Sequence, residues 1–417
     1  MTHEHDHNCK DDHSFAILSR RKLLQTTALG AGWMLLGRNG EALAQGAPSE
    51  IRIGGTISQS GTFQAIVGPF HKLMTTWADR VNAKGGIFLK QYNKSLPIKM
   101  FLYDDKSEPA TALSFYERLA TVDKVDLFIG PFSSFLHNAA LQASVTHKVP
   151  FFMTEGNDAV LFEKPNPWRV SGLSRAVQEM DKLVDFYAER KGVKTFAILG
   201  RDNLHEQGAV QGVAAALKKR GFEVVYQDLA PKDIKDFSSI VLAIKAKNPD
   251  VLIAESIAPP WTIQFLKQAR ELGLNPKDVV PSHGPVPVIK GMGDAAENLV
   301  SLLYSFDGDS ADHKDFNELC KEAGFEAWAF SEAGIRYRTF KRIEDTLKRA
   351  GSVDKEAVRK AMWETNIKIF GSETMKHDSE GYGTDIPYPV QVKSGKYVSL
   401  WPISRGVGIH KFKDHKW

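Results

Sequence analysis

The chain has 417 residues, 42% of them hydrophobic, more than one compact core takes up and enough for two α/β lobes of ordinary size. Lysine and arginine number 54 against 50 acids, a net charge of +4 with no long basic run, so no nucleic acid partner is expected. The only cysteines are Cys9 and Cys320, which argues against a fold stapled by internal disulfides.

Residues 1–44 read as an address and not as part of the fold. The twin-arginine segment SRRKLLQ at 19–25 precedes a short apolar stretch around Ala28 to Leu36, and Ala42, Leu43 and Ala44 form an A-x-A site. Gly30, Gly32 and Gly37 interrupt that stretch, which is short for a bilayer span, so cleavage after Ala44 is expected. Twin-arginine export machinery is the implied partner, and the periplasm the implied location. His3, His5, His7 and His13 with Cys9 have metal-binding chemistry, yet all would leave with this segment. No metal or cofactor is expected in the remainder.

From residue 50 onward, short apolar runs alternate with helical stretches, the cadence of parallel sheets flanked by helices. IRIGGTI at 51–57 opens the series and is followed by a Ser/Gly loop. A helix with Phe70, Leu73, Met74, Trp77 and Val81 on one face then runs to Gly85 and Gly86. IKMFLY at 98–103, VDLFIG at 125–130 and PFFM at 150–153 continue it, with helices between. A second series follows with TFAIL at 195–199, FEVVY at 222–226 and VLIAE at 251–255. Two half-sheets in tandem predict two lobes, with a first crossing near Trp168 to Ser174. Helices over 327–349 and 354–365 and two β-like runs, YPVQVK and YVSLW, close the chain.

Several segments, in order, resemble the branched-chain amino acid binding protein family, the type I periplasmic receptors of ABC importers. They are SQSGTF at 58–63, RVNAKGGI at 80–87, YDDKSEPATA at 103–112, VDLFIGPFSS at 125–134, FAILGRDN at 196–203, ALKKRGFEVV at 216–225, KDFSSIVLAIKAKNPDVLIAE at 235–255 and FLKQARELGL at 265–274. The resemblance implies an α/β type I periplasmic binding fold: two doubly wound parallel-sheet lobes joined by three crossover segments, near 170, 304 and 373. The first lobe would take 50–170 and 305–372, and the second 171–304 and 373–417. Function would be capture of a small-molecule ligand by a monomer and its delivery to ABC importer permease subunits.

In such sheets the ligand crevice lies outside the carboxyl ends of the strands, where helix N-termini present free N–H groups. Ser133 and Ser134 follow VDLFIGPF there and are the leading candidates, although serine also caps helices. Ser58, Ser60 and Phe63 lie in the first loop, where the family approaches its ligand. Asp158 stands where the family's amino acid receptors carry a hydroxyl, or it caps the helix starting at Ala159. Glu255 stands near the family's aromatic hydroxyl, and His283 in PSHGP near its acid. Those departures argue against branched-chain amino acid specificity. Glu155 or Glu255 would supply the missing acid, while Phe63, Phe132 and Trp261 are candidate apolar walls. His205, with Glu206, occupies a loop where the family has a cleft-facing aromatic.

No nucleophile elbow, P-loop, HExxH helix or GxGxxG turn appears at the required spacing, so an enzyme is not expected. The paired Asp104 and Asp105 read as loop structure at a strand end. The implied solute is small and polar, of the amino acid, amide or small carboxylate kind. A periplasmic sensor of the same fold, feeding a signalling partner, is the alternative.

Overall fold

A computed structural model describes residues 47–283, 286–304, 308–371 and 373–413. The segment read as an export address, with its histidines and Cys9, lies outside the described residues. No described helix is long and apolar enough to cross a membrane.

The first sheet is built from β1 (Ile51–Ile57), β2 (Ile98–Asp104), β3 (Leu127–Ile129), β4 (Phe151–Met153) and β5 (Arg169–Ser171), in the order β2-β1-β3-β4-β5. Every pairing is parallel. The second sheet holds β6 (Thr195–Arg201), β7 (Glu223–Ala230), β8 (Val251–Glu255) and β9 (Asp278–Pro281), in the order β9-β8-β6-β7, again parallel. The inner strands β1, β3, β4, β6 and β8 are largely apolar on consecutive positions because helices cover both faces. In β3, Leu127 and Ile129 join one apolar cluster, and Phe128 between them joins another.

A third sheet pairs β10 (Val300–Leu303), β11 (Tyr388–Lys393) and β12 (Lys396–Ser399) antiparallel. Val390, Val392 and Tyr397 pack into the cluster holding Ala197, Leu199 and Leu252 of the second sheet. Helix Ala333–Ala350 goes the other way: Phe340, Ile343 and Leu347 pack with Ile51, Ile53 and Ile129. The helix expected over 327–349 is thus a 3-10 turn at Ala327–Ala329, then extended backbone at Phe330, and the long helix only from Ala333. β5, β9 and β10 are strands of three or four residues, too short for their alternation to stand out in the sequence.

The segments between the sheets are tied to one another. Leu173, just after β5, bridges Asp385, just before β11, and the Asp385 N–H donates to the Gly172 carbonyl at 3.0 Å. Helix Ala333–Ala350 reaches these segments through buried arginines. Arg342 Nη2 donates to Asp385 Oδ2 at 2.7 Å, and Arg338 donates to the Tyr304 carbonyl and, at 2.8 Å, to Glu373 Oε2.

Candidate functional site

Strand ends of both sheets converge on one buried cavity. It is lined on the first-sheet side by Phe132 and Ser133, after β3, and by Glu155 and Asn157, after β4. Facing them are His205 after β6, Ile257 after β8 and His283 after β9. Leu173, Glu179 and Tyr304 enter from the segments between the sheets, and Glu332 and Ile335 from the start of helix Ala333–Ala350. The free volume is about 20 Å³, room for about one water or ion.

The first-sheet wall is held rigidly. His137, fully buried, donates from Nδ1 to the Ser133 carbonyl at 2.8 Å and accepts the Thr154 N–H on Nε2 at 3.1 Å, so its ring is a neutral Nδ1–H tautomer. Burial, with the Arg336 charge adding to it, pushes this histidine down to about 3. Two glycines make room for the ring: a Cβ on Gly130 would lie 2.4 Å from Nε2, and one on Gly156 2.5 Å from Cγ. Ser133 is held at φ +65°, a strained conformation for a residue with a side chain. Its hydroxyl is buried without a hydrogen-bond partner.

Glu155 lies in this wall but is fully engaged. Arg336 Nε and Nη2 each donate to it at 2.7 Å, and the same guanidinium donates to the carbonyls of Gly130 and Pro131 at 2.9 and 3.1 Å. This is the bidentate geometry that makes a buried pair tolerable.

The opposite wall is different. His205 Nε2 lies 3.1 Å from Glu179 Oε2 and 3.6 Å from Glu255 Oε1. His283 Nε2 lies 3.4 Å from Glu179 Oε1 and 3.6 Å from the same Glu255 oxygen. Yet His205 Nε2, both His283 nitrogens, Glu179 Oε2 and both Glu255 oxygens make no hydrogen bond. All four residues are buried. Burial alone would lower His205, but the Glu179 and Glu255 carboxylates overcome it and hold the ring up at about 9. Glu179 shows the converse: burial pushes it up, and His205, His283 and the Tyr304 hydroxyl pull it down to about 2.

The structure therefore brings Phe132, Ser133, Glu155, His205 and His283 to one cavity, with Glu255 against both imidazoles. Phe63 stands behind Phe132, edge to face at 5.1 Å. The other expected residues are engaged elsewhere. Ser58 donates to Asp105 at 2.6 Å and Ser60 to Asp104 at 2.7 Å, which makes the two aspartates anchors of the first loop. Ser134 accepts the N–H groups of Asn157 and Asp158, at 3.3 and 3.2 Å. Asp158 caps the 3-10 turn Ala159–Leu161 by accepting the Val160 N–H, and lines a separate cavity with Arg175 and Tyr382. Trp261 packs on Phe237 and Phe265 and donates to the Pro231 carbonyl at 3.3 Å, within the core of the second sheet.

Sequence reading missed Glu179, Tyr304, Glu332 and Arg336. Tyr304 sits at a segment read only as a crossing and Glu179 in the stretch after the first crossing, where no element was read and no periodicity marks an inward side chain. Glu332 and Arg336 open a helix whose inner face carries charges, so its polarity hides its burial.

Comparison with known proteins places this geometry in a context. The profile of the family described as "Periplasmic binding protein" matches residues 50–396. A Leu/Ile/Val-binding protein homolog 7 of Brucella suis is 23% identical over 389 residues, covering 86% of this chain and 94% of that protein. Two solved structures share the fold. One is a branched-chain amino acid transporter substrate-binding protein of Streptococcus pneumoniae in complex with isoleucine, with TM-score 0.71, 19% identity and coverage of 84% and 97%. The other is an ABC transporter solute-binding protein of R. palustris in complex with 4-hydroxybenzoate, with TM-score 0.70, 21% identity and coverage of 84% and 95%.

Proposed function

Because this chain belongs to the periplasmic binding protein family and carries its type I α/β fold, we propose that it is the solute receptor of an ABC importer. It takes up a small polar solute between two lobes, 50–170 with 305–372 and 171–304 with 373–417, and presents the closed form to membrane permease subunits. The same reading has it exported by the twin-arginine route, cleaved after Ala44 and working as a monomer in the periplasm. The family is one of binding proteins and not of enzymes.

One observation carries the reading: loops after strands of both sheets, and residues of the segments between them, close on a single buried cavity. A solute held there gains contacts from both sides only when the lobes are shut, so binding selects the closed form. The walls differ in character. Phe132, Leu173, Ile257 and Ile335 offer apolar surface to a short carbon skeleton once the walls part enough to admit one, while the Glu179, Glu255 and Glu332 carboxylates, already faced by His205 and His283, suit a cationic or hydrogen-bond-donating end. That contrast favours amine- or amide-bearing solutes over branched-chain amino acids bound by their carboxylate alone.

The test is a thermal-unfolding screen of the purified chain against amino acids, amides and small carboxylates, with product analysis of every hit. A true solute at 100 times its Kd stabilises the fold by about 2.7 kcal/mol and comes back unaltered. Conversion of a hit into a product overturns the reading, as does small-angle scattering that shows no compaction when a hit binds.

A further inference from the structure

Three side chains from separate segments bring a donor atom to one point of the cavity, and Glu255, outside the cavity lining, stands 3.6 Å from two of them. Glu179 follows the 3-10 turn Ala176–Gln178, His205 lies in the first turn of helix Leu204–Lys219, Glu255 ends β8 and His283 follows β9. Glu179, His205 and His283 alone hold three such atoms within 4.8 Å of one another. Their N···O separations, and those to Glu255, run 3.1, 3.4, 3.6 and 3.6 Å. A tetrahedral shell with metal–nitrogen and metal–oxygen bonds of about 2.0–2.2 Å sets neighbouring donors about 3.3–3.5 Å apart, the same span. At these separations none of the atoms facing the point, apart from Glu179 Oε1, makes a hydrogen bond, although all are buried.

The outer contacts fit as well. His205 Nδ1 lies 3.2 Å from Asn157 Oδ1, which accepts its proton, so that an arriving metal displaces only the Nε2 proton and takes that lone pair. Glu332 Oε1 stands 3.5 Å from His283 Nδ1, an ion-pair contact without a hydrogen bond that would tighten into the carboxylate–histidine arrangement around a ligated ring. Tyr304 donates to Glu179 Oε1 at 3.2 Å and fixes that carboxylate. Each of these three donors has a partner behind it.

From this geometry we propose that the cleft binds a divalent first-row transition metal ion of the nickel, copper or zinc class through Glu179, His205, Glu255 and His283. The solute is then the ion itself, or a small molecule that carries it. This rests on the cleft being the binding site proposed above, but not on delivery to a permease. Two imidazoles select against magnesium and calcium, which take oxygen shells. Two carboxylates balance the ion's charge, and the free volume is of ionic size.

The experiment uses the full chain, stripped with chelator, in a background with His3, His5, His7 and His13 changed to alanine and Cys9 to serine, so that the N-terminal cluster does not compete with the cleft for metal. Calorimetric titration with zinc chloride alone and with nickel chloride alone is expected to give one saturable site per chain, and none with magnesium chloride. A parallel titration with the zinc–citrate complex separates the two forms of solute: tighter apparent binding of the complex points to a carried ion, weaker binding to the free ion. His205→Gln and His283→Gln each weaken zinc at least about 100-fold, and Glu332→Gln about 10-fold or more. Cobalt bound in place of zinc shows the intense visible bands of a tetrahedral ion, which the glutamine variants lose. Unchanged thermal unfolding of the metal-free variants establishes that they are folded. Absence of saturable zinc or nickel binding overturns the proposal, as does affinity unchanged in both histidine variants. If a metal-free organic solute nevertheless stabilises the chain, the metal site is refuted and the receptor reading stands.

Discussion

Two walls of the same cavity bury the same kinds of charge and treat them in opposite ways. Glu155 meets Arg336 in a bidentate pair whose remaining donors reach two carbonyls, whereas the imidazoles of His205 and His283 each lie 3.1–3.6 Å from Glu179 and Glu255 with most facing atoms unbonded. Burial is equal, so it does not tell structure from site. Satisfied hydrogen bonding does: the Glu155–Arg336 pair is complete by itself, whereas the cluster around His205 and His283 leaves buried polar atoms that the proposed solute would complete.

Breaking the paired wall is expected to have the largest effect. Arg336→Met strands Glu155 as a lone buried charge and costs about 3–5 kcal/mol, read as a shifted urea midpoint at constant slope. Adding Glu155→Leu recovers part of that loss, but not the part due to the carbonyls of Gly130 and Pro131. Full recovery, or no initial loss, would show that the pair is dispensable.

The next effect is a pH dependence on the same wall. His137 stays neutral when folded, down to about 3, and its neighbours are the Arg336 charge and the Arg336-bound Glu155 beyond Thr154. In the unfolded chain it titrates near 6.5, so between these values the unfolded state holds the extra proton, and stability falls as pH falls. The slope is roughly 1.4 kcal/mol per pH unit well below 6.5. His137→Gln should remove that increment from denaturation curves at pH 4.5 to 6.5, and an unaltered slope would refute the assignment.

The smallest effect is expected on the unsatisfied wall. Glu255→Gln removes a charge that makes no hydrogen bond but lies 3.6 Å from both imidazoles, so the solute-free chain should lose only about 1 kcal/mol while solute affinity drops. A variant destabilised as much as Arg336→Met, with affinity intact, would erase the contrast between the walls.

Much of this arrangement was legible in the sequence. Strand β1 spans the expected 51–57 and β8 the expected 251–255, because consecutive apolar residues there are bounded by clear loop signals. His205, Glu255 and His283 were singled out through the family resemblance, whose rule is that residues just past these parallel strands face the crevice. The same rule does not decide whether a polar side chain there turns to solute or to backbone: Ser133 faces the cavity while its neighbour Ser134 is taken up by two N–H groups. Trp261 carried a warning in its spacing, since Phe265 lies one helical turn on and the two rings pack together in the core. Glu179 and Arg336 were invisible because their burial depends on partners more than 100 residues away.

Helix Ala333–Ala350 is a rod of 18 residues, about 27 Å long. Its N-terminal end meets the cavity through Glu332 and Ile335, and further along Arg338 and Arg342 grip Tyr304, Glu373 and Asp385 in the segments linking the sheets. In the receptor proposed above, an occupant of the cavity would push on a lever already fastened to the fulcrum, so that occupancy and opening angle would be read from one mechanical part.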